Sequence, residues 1–294
     1  MSGNDIYEIL DRAYESEDFD EIAELVGKAL ELEPDNPEAL LLSADLSDDD
    51  EERLGILEKA LDGARRYLEE EGLSGDSILE DEVGLVYLGI LQRMAYTLFS
   101  LEEDERALLL VEELLRYDQE DQELAKTLYY RILLEQSEWA RVLEETMRDG
   151  ERNLGWAYSR MIATFMLSKD KGVESVNKML WDAVRMAPNV PFYMLGYIPD
   201  PIDESEDEDF HFSLLYEGVW SLSRELLNWF SKGTILFGLF SGRFGKESDD
   251  MQEILSALNG GGDYEELSGK LSGGSHEDGA ILEILSKGNY PRTR

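Results

Sequence analysis

The sequence predicts an all-α protein: an alpha-solenoid of about five helix pairs, followed by a C-terminal capping helix and a flexible tail. Three observations lead to this fold class. Apolar residues recur at the three- and four-residue spacing of amphipathic helices. Two pairs of these apolar stripes repeat with the same internal spacing, which indicates a repeat architecture. Proline residues stand at the points where the second helix of a pair would end.

The clearest repeat is a pair of apolar stripes that occurs twice with one constant offset. The first pair lies on either side of the acidic break at residues 15–21 and consists of Ile6, Ile9, Leu10, Ala13, then Ile22, Val26, Ala29, Leu30. The second pair consists of Leu91, Met94, Ala95, Leu98, then Ala107, Val111, Leu114, Leu115. Because every position shifts by the same amount, the turn between the two helices has the same length in both copies.

A third copy of the second stripe precedes Pro188, and less regular helices complete the array. The stripe consists of Val176, Leu180, Ala183, Val184. Asn36 followed by Pro37 predicts an N-cap and a first-turn proline, which open a helix through residue 46. Further helices are predicted over residues 54–68, 124–134, 137–147 and 156–167, with an insertion at residues 71–82.

These helix pairs resemble the tetratricopeptide repeat family, whose unit has about 34 residues and ends in proline. Small residues fall at the close-packing positions Ala29, Ala95, Ala107 and Ala183, whereas Leu10 and Gln119 depart from the pattern. Residues 36–230 also resemble prokaryotic relatives of the suppressor-of-tumorigenicity-seven family in the segments NPEALLLSADL, APNVPFYMLG and SLLYEGVWSLSRELLNWF. The resemblance implies a repeat scaffold with no established chemistry and no transferable active-site residues.

The chain is expected to comprise four regions. These are a helical repeat array (1–197), an acidic linker (198–210), a capping helix region (211–245) and a poorly ordered tail rich in Gly, Ser and acidic residues (246–294). One long helix over 211–230 is predicted to cap the array. The alternative is a docking surface that uses Trp220 and Trp229. The acidic run at 203–209 reads as a solvated linker, because it lacks the glycine and final glutamate of a calcium loop.

The charge balance limits the classes of partner. The chain has 66 acidic and 27 basic residues, a net charge of −39, which repels phosphate and anionic lipid and predicts binding to neither nucleic acid nor membrane. The charge serves solubility or adaptation to salt, or it steers a basic partner. The N-terminus lacks the features of a signal peptide. The best membrane-span candidate, residues 83–99, is interrupted by Gln92 and Arg93, so a cytoplasmic protein is expected.

No motif in the sequence predicts catalysis. There is no cysteine, and the two histidines, His211 and His276, stand beside an acidic run and in a glycine-rich segment. The chain has no HExxH helix, no phosphate-binding P-loop and no G-x-S-x-G nucleophile turn. We therefore expect no catalytic residue, cofactor or metal site, and no enzymatic activity.

The function predicted from the repeat is that of a protein–protein interaction scaffold. The first helix of each pair lines the concave side of such arrays. In three units that helix carries the candidate partner-binding residues Tyr7, Tyr14, Gln92, Tyr96, Phe99, Lys126 and Tyr130. A protein or peptide partner, basic if charge steers it, would lie there. The alternative for these aromatic residues is packing between neighbouring pairs. The alternative functions are a carboxylate-based metal-dependent hydrolase and an acidic mimic of nucleic acid.

Overall fold

A computed structural model of the chain describes residues 4–117, 123–150, 152–170, 174–202 and 207–240. The ordered elements in these ranges are all helical, with no β-strand among them, which confirms the predicted all-α class. The chain divides into two compact units, Met1–Ile132 and Leu133–Arg294. The division falls inside one helix, and the two units are described separately below.

Unit 1 is a series of helices in which consecutive α-helices from α1 to α6 pack together. Its elements are α1 (Asn4–Glu15), α2 (Phe19–Leu32), α3 (Pro37–Asp45), α4 (Asp50–Glu71), a 3-10 helix (Gly75–Glu80), α5 (Glu82–Ser100), α6 (Asp104–Leu114) and α7 (Glu123–Glu135), the helix at the division. In addition, α3 packs against α5. The repeated stripes supply the core, since Leu91, Met94, Val111 and Leu114 are all buried.

Side-chain caps decide where several helices of unit 1 begin. The Asn36 side chain accepts hydrogen bonds from the backbone N–H groups of Glu38 and Ala39, so the predicted cap of α3 is confirmed. The Asp49 side chain caps α4 in the same way, accepting from the Glu52 N–H at 2.8 Å. This cap explains why α4 begins at Asp50, before the predicted start at residue 54.

Unit 2 contains a second series of helices. Its elements are α8 (Trp139–Arg148), α9 (Leu154–Leu167), α10 (Glu174–Met186), the short α11 (Val190–Met194), α12 (Glu208–Glu217), a 3-10 helix (Gly218–Leu222) and α13 (Arg224–Phe240). The third predicted stripe, which is carried by α10, is buried. Around it, α9 packs on α8 and α10, and α13 packs on α9 and α10.

The prediction of one long helix over residues 211–230 is wrong. The segment is divided between α12, the 3-10 helix and α13, with Ser223 in an extended conformation between the last two. The Ser223 hydroxyl then accepts a hydrogen bond from the Leu226 N–H at 3.3 Å, which favours a new helix start. Trp220 and Trp229 are buried (3% and 0% exposed), so the alternative of a docking surface built on them is also wrong.

The helices also begin earlier and end later than the predicted bounds of 211 and 230. α12 begins at Glu208, inside the predicted linker, because the Asp207 side chain caps it by accepting from the Phe210 N–H. α13 continues to Phe240, past the predicted helix end at residue 230. A Cβ atom at Gly233 would stand 2.5 Å from Leu180 Cδ2, so glycine allows α13 to approach α10 closely. The predicted tail, 246–294, and residues 203–206 lie outside the described residues.

One helix of the described residues, α5, is long and apolar enough to span a membrane by length and composition. Its most apolar 18-residue window has a mean hydropathy of 1.2, and half of that window is buried inside the protein. α5 packs against α3, α4 and α6. Half of the apolar window of α5 is therefore covered by the protein itself.

Candidate functional site

The first helices of unit 1 share a surface that carries tyrosine and carboxylate side chains. On α1 the stripe Ile6, Leu10, Ala13 is buried, so the residues next to each stripe position lie on the solvent side. α3 and α5 add carboxylates and one base to the same surface. We call this surface the tyrosine–carboxylate face and define it as Tyr7, Asp11, Tyr14, Glu38, Asp45, Glu82 and Arg93.

At the centre of the face, the Tyr14 hydroxyl lies close enough to the Glu38 carboxylate for each group to affect the pKa of the other. Partial burial, together with the Glu38 charge and hydrogen bond, raises the pKa of Tyr14 to about 12. Partial burial also raises the pKa of Glu38; the Tyr14 hydrogen bond opposes this rise, and the nearby charges of Asp11 and Glu82 add to it. Glu38 is thus held among groups that disfavour its negative charge.

The face has a negative balance. It contains four carboxylates and one guanidinium, and that guanidinium is already engaged, because Arg93 Nε donates to Asp45 Oδ1 at 3.1 Å. Both members of this ion pair are about half exposed (47% and 40%), so it contributes no more than about 1 kcal/mol. A cation that arrived at Glu38 would therefore meet carboxylates rather than a competing base of the face.

The exposed tyrosines give the face apolar area as well. Tyr7 and Tyr14 are 54% and 55% exposed, although each is a large aromatic side chain. On α4, Tyr67 lies close enough to Tyr7 and Asp81 for both to affect its hydroxyl: burial, then the Asp81 charge, raises its pKa. Tyrosine rings offer large contact area at low entropic cost, so this part of the surface suits a partner.

The other predicted site residues have different surroundings. Gln92 and Lys126 are half-buried. The half-buried Tyr96 donates its hydroxyl hydrogen bond to the Leu124 carbonyl at 3.0 Å. The Arg131 guanidinium lies 5.1 Å from the centre of the Phe99 ring. Tyr96 and Phe99 therefore contact α7 as well as lying along α5.

Tyr130 does not reach the surface. Its side chain is only 3% exposed, and its ring lies 5.8 Å from that of Tyr129. For this residue the alternative prediction, packing inside the array, agrees with the structure. A partner at the surface of unit 1 could not contact the Tyr130 ring, so Tyr130 is removed from the candidate site.

Sequence reasoning missed Glu38, Asp45 and Glu82. A signal for the first two was present, because the cap at Asn36 shows where α3 begins, and Ala39 and Ala44 are among its four buried residues. Glu38 and Asp45 each stand next to one of these positions. No such local signal connects Glu82 with Glu38, since these residues belong to different helices that only packing brings together.

Unit 2 contains buried polar groups that were also not predicted. Lys232 on α13 is 5% exposed, and burial lowers its pKa to about 8. The Tyr158 hydroxyl is fully buried and has no hydrogen-bond partner within the described ranges. Trp229 Nε1 donates to Asn177 Oδ1 at 2.8 Å. These groups lie in the packed interior, among aromatic rings.

The described part of the chain offers few features on which chemistry could be built. Within it, no group of three or more His, Asp or Glu side chains could hold a metal ion. A surface depression lies at the α1–α2 turn and is lined by residues 15–21. It is open to solvent on the outside of a tight turn. The tyrosine–carboxylate face is consequently the surface with the most distinctive chemistry in unit 1.

Comparisons with protein-family models, with curated proteins and with solved structures found no match for this chain. The candidate site is therefore inferred from the geometry and charge of its residues alone.

Proposed function

We propose that this chain is a protein-interaction scaffold whose tyrosine–carboxylate face binds a basic peptide segment. The observation that carries the proposal is the combination found on α1, α3 and α5. Tyr14, one of two tyrosines on α1 that are about half exposed, lies beside a carboxylate, Glu38, whose charge is disfavoured by burial and by neighbouring carboxylates. A lysine or arginine side chain placed there would relieve the mutual repulsion of Asp11, Glu38 and Glu82.

The packing of unit 1 supports a repeat scaffold. From α1 to α6 each α-helix packs on the next in sequence, and α3 also packs on α5, the first helix of the following pair. This pattern is compatible with tetratricopeptide-like pairs stacked in a solenoid, which we propose as the finer description of the fold. Proteins of that kind present a row of first helices to peptides. We place the protein in the cytoplasm on the same proposal.

The one basic residue of the face, Arg93, is already paired with Asp45, so a partner would supply the cations for the other carboxylates. A cationic side chain over a tyrosine ring gains about 0.5–1 kcal/mol at an exposed site, and contact with a carboxylate adds a similar amount. Each contact is small, so several must act together to give measurable binding. A peptide segment with two or more basic residues can make them together, whereas a single small cation cannot.

Binding of a labelled basic peptide tests the proposal. We would measure fluorescence anisotropy with a fluorescein-labelled peptide of alternating lysine, arginine and leucine. Tyr14→Ala and Glu38→Gln should each weaken binding about threefold to tenfold. Glu31→Gln makes the same charge change on α2 and should alter affinity by less than about twofold. Equal losses in Glu38→Gln and Glu31→Gln would mean that only the overall charge attracts the peptide, and would refute the site.

The pH dependence of the same binding gives a second prediction. Because the pKa of Glu38 is raised in the folded protein, part of its population is protonated just above the usual glutamate range. A bound cation favours the ionised form, so binding releases a proton and affinity should increase as pH rises through that window. In Glu38→Gln this contribution should disappear, while the titration of other carboxylates remains. A wild-type pH profile that coincides with that of Glu38→Gln would contradict the role of this carboxylate.

A further inference from the structure

Unit 2 contains a cluster of opposite charge to the tyrosine–carboxylate face. At the start of α9, the guanidinium carbons of Arg152 and Arg160 lie 5.5 and 5.2 Å from the ring of Trp156. Arg152 lies just before the Asn153 N-cap of α9, and Arg160 lies one helical turn after the tryptophan. We call these three residues the Arg–Trp–Arg cluster.

The Trp156 ring is held in place by two hydrogen bonds. Its backbone N–H donates to Asn153 Oδ1 at 2.9 Å, which forms the N-cap of α9. Its indole Nε1–H donates to the Thr146 carbonyl at 2.7 Å, at the end of α8. The half-buried indole therefore forms a fixed platform that both guanidinium groups contact.

Neither arginine forms an ion pair within the described residues, although the chain has 66 acidic and only 27 basic residues. Several arginines elsewhere contact carboxylates: Arg65 pairs with Glu113 and Arg148 pairs with Glu144. Arg152 and Arg160 instead contact an aromatic ring. A guanidinium that stacks on a ring keeps its N–H groups available at its edge, where they can donate two parallel hydrogen bonds to one carboxylate.

We propose that the Arg–Trp–Arg cluster docks an acidic peptide segment, with one carboxylate on each guanidinium. This surface goes beyond the basic-peptide face of unit 1 and does not depend on it. Charge complementarity argues for a carboxylate partner, since the cluster carries two positive charges on an otherwise anionic chain. The net charge of −39 disfavours duplex nucleic acid, which carries one phosphate charge per about 1.7 Å, roughly twice the charge density of an extended acidic peptide.

The experiment uses the full chain and a fluorescein-labelled peptide of alternating aspartate and glutamate, at about 0.15 M salt. At that ionic strength the Debye length is about 8 Å, so distant carboxylates are screened while contacts within the cluster persist. Arg152→Ala and Arg160→Ala should each weaken binding about threefold to fivefold, and the double variant by about tenfold or more. Arg224→Ala, an exposed arginine of the same unit, makes the same charge change and should have no effect beyond about twofold.

Replacing both arginines by lysine separates charge from geometry. Lysine keeps the charge but cannot donate the paired hydrogen bonds, so the double lysine variant should recover less than half of the lost binding free energy. Circular dichroism and the melting temperature of each variant check that it is folded. Equal weakening by Arg224→Ala and by the cluster variants would overturn the proposal. So would tighter binding of a single-stranded oligonucleotide, or self-association that the cluster variants abolish.

Discussion

At the scale of single residues, Tyr158 and Tyr216 show how one side-chain type plays two different roles in one core. Their rings pack edge to face, with centroids 6.2 Å apart. The Tyr216 hydroxyl lies 2.6 Å from the Ser159 hydroxyl and also donates to the Gly155 carbonyl at 3.4 Å. The Tyr158 hydroxyl is buried without a partner in the described residues. Burial raises the pKa of Tyr158, which keeps its hydroxyl neutral.

Replacing tyrosine by phenylalanine should therefore change the free energy of unfolding in opposite directions at the two positions. A buried hydroxyl that makes no hydrogen bond loses its water contacts without compensation, at about 1–3 kcal/mol. Tyr158→Phe should therefore leave the free energy of unfolding unchanged or raise it by about 1 kcal/mol. Tyr216→Phe should lower it by about 1 kcal/mol or more, because Ser159 loses its partner. Urea unfolding, monitored by tryptophan fluorescence, measures both; a larger loss for Tyr158→Phe than for Tyr216→Phe would contradict this account.

At the scale of elements, the insertion between α4 and α5 is held by a close backbone approach. The 3-10 helix Gly75–Glu80 packs on the first turn of α5 at Gly84. A Cβ atom at Gly84 would stand only 2.0 Å from the Ile78 carbonyl oxygen, and backbone atoms cannot move aside as a flexible side chain can. At the other end of the insertion, Gly72 ends α4 in the left-handed conformation, with φ of 68°.

Alanine at Gly84 should consequently destabilise unit 1. We expect Gly84→Ala to lower the free energy of unfolding by about 2 kcal/mol or more, because the 3-10 helix must move away from α5. The control is Gly55→Ala on α4, where no atom lies within 4 Å of the added methyl group. There alanine should raise stability by about 0.5–1 kcal/mol through the backbone entropy of the unfolded chain. Similar effects at the two glycines would show that the close approach is not maintained in solution.

At the scale of the whole molecule, the net charge of −39 is the dominant long-range property. Repulsion among 66 carboxylates opposes the compact state. Exposed ion pairs such as Arg12–Glu21 and Arg106–Glu58 offset only a little of it, at about 0–1 kcal/mol each. Screening by salt should weaken the repulsion more than it weakens these few pairs.

Salt should therefore stabilise the protein. Raising NaCl from about 0.01 to 0.15 M shortens the Debye length from about 30 to about 8 Å. If this removes about 1 kcal/mol of repulsion, the melting temperature should rise by about 2–4 °C. Differential scanning fluorimetry measures the shift, and KCl at equal ionic strength should give the same value. A melting temperature that is constant or falls over this range would show that the paired contacts outweigh the repulsion.

The sequence by itself determined the helices and their buried sides. The stripes through Leu91 and Val111 and the cap at Asn36 depend on contacts within a few residues, and helical periodicity makes such contacts readable from spacing alone. The same reasoning located Tyr7 and Tyr14 on the outer side of α1. Composition alone likewise determined the strong negative charge.

Only the tertiary structure decided which side chains share a surface and which are covered. Helix packing brings Glu38 close to Asp11 and Glu82. Side-chain geometry places Arg152 and Arg160 on the Trp156 ring, and neither pairs with a carboxylate of the described residues. Tyr130 and Trp220 are residue types that are common in protein interfaces, but both are buried. The break at Ser223 interrupts a stripe that would suit one continuous helix. Burial depends on residues distant in sequence, so a local pattern cannot distinguish an aromatic residue that faces a partner from one that faces its own core.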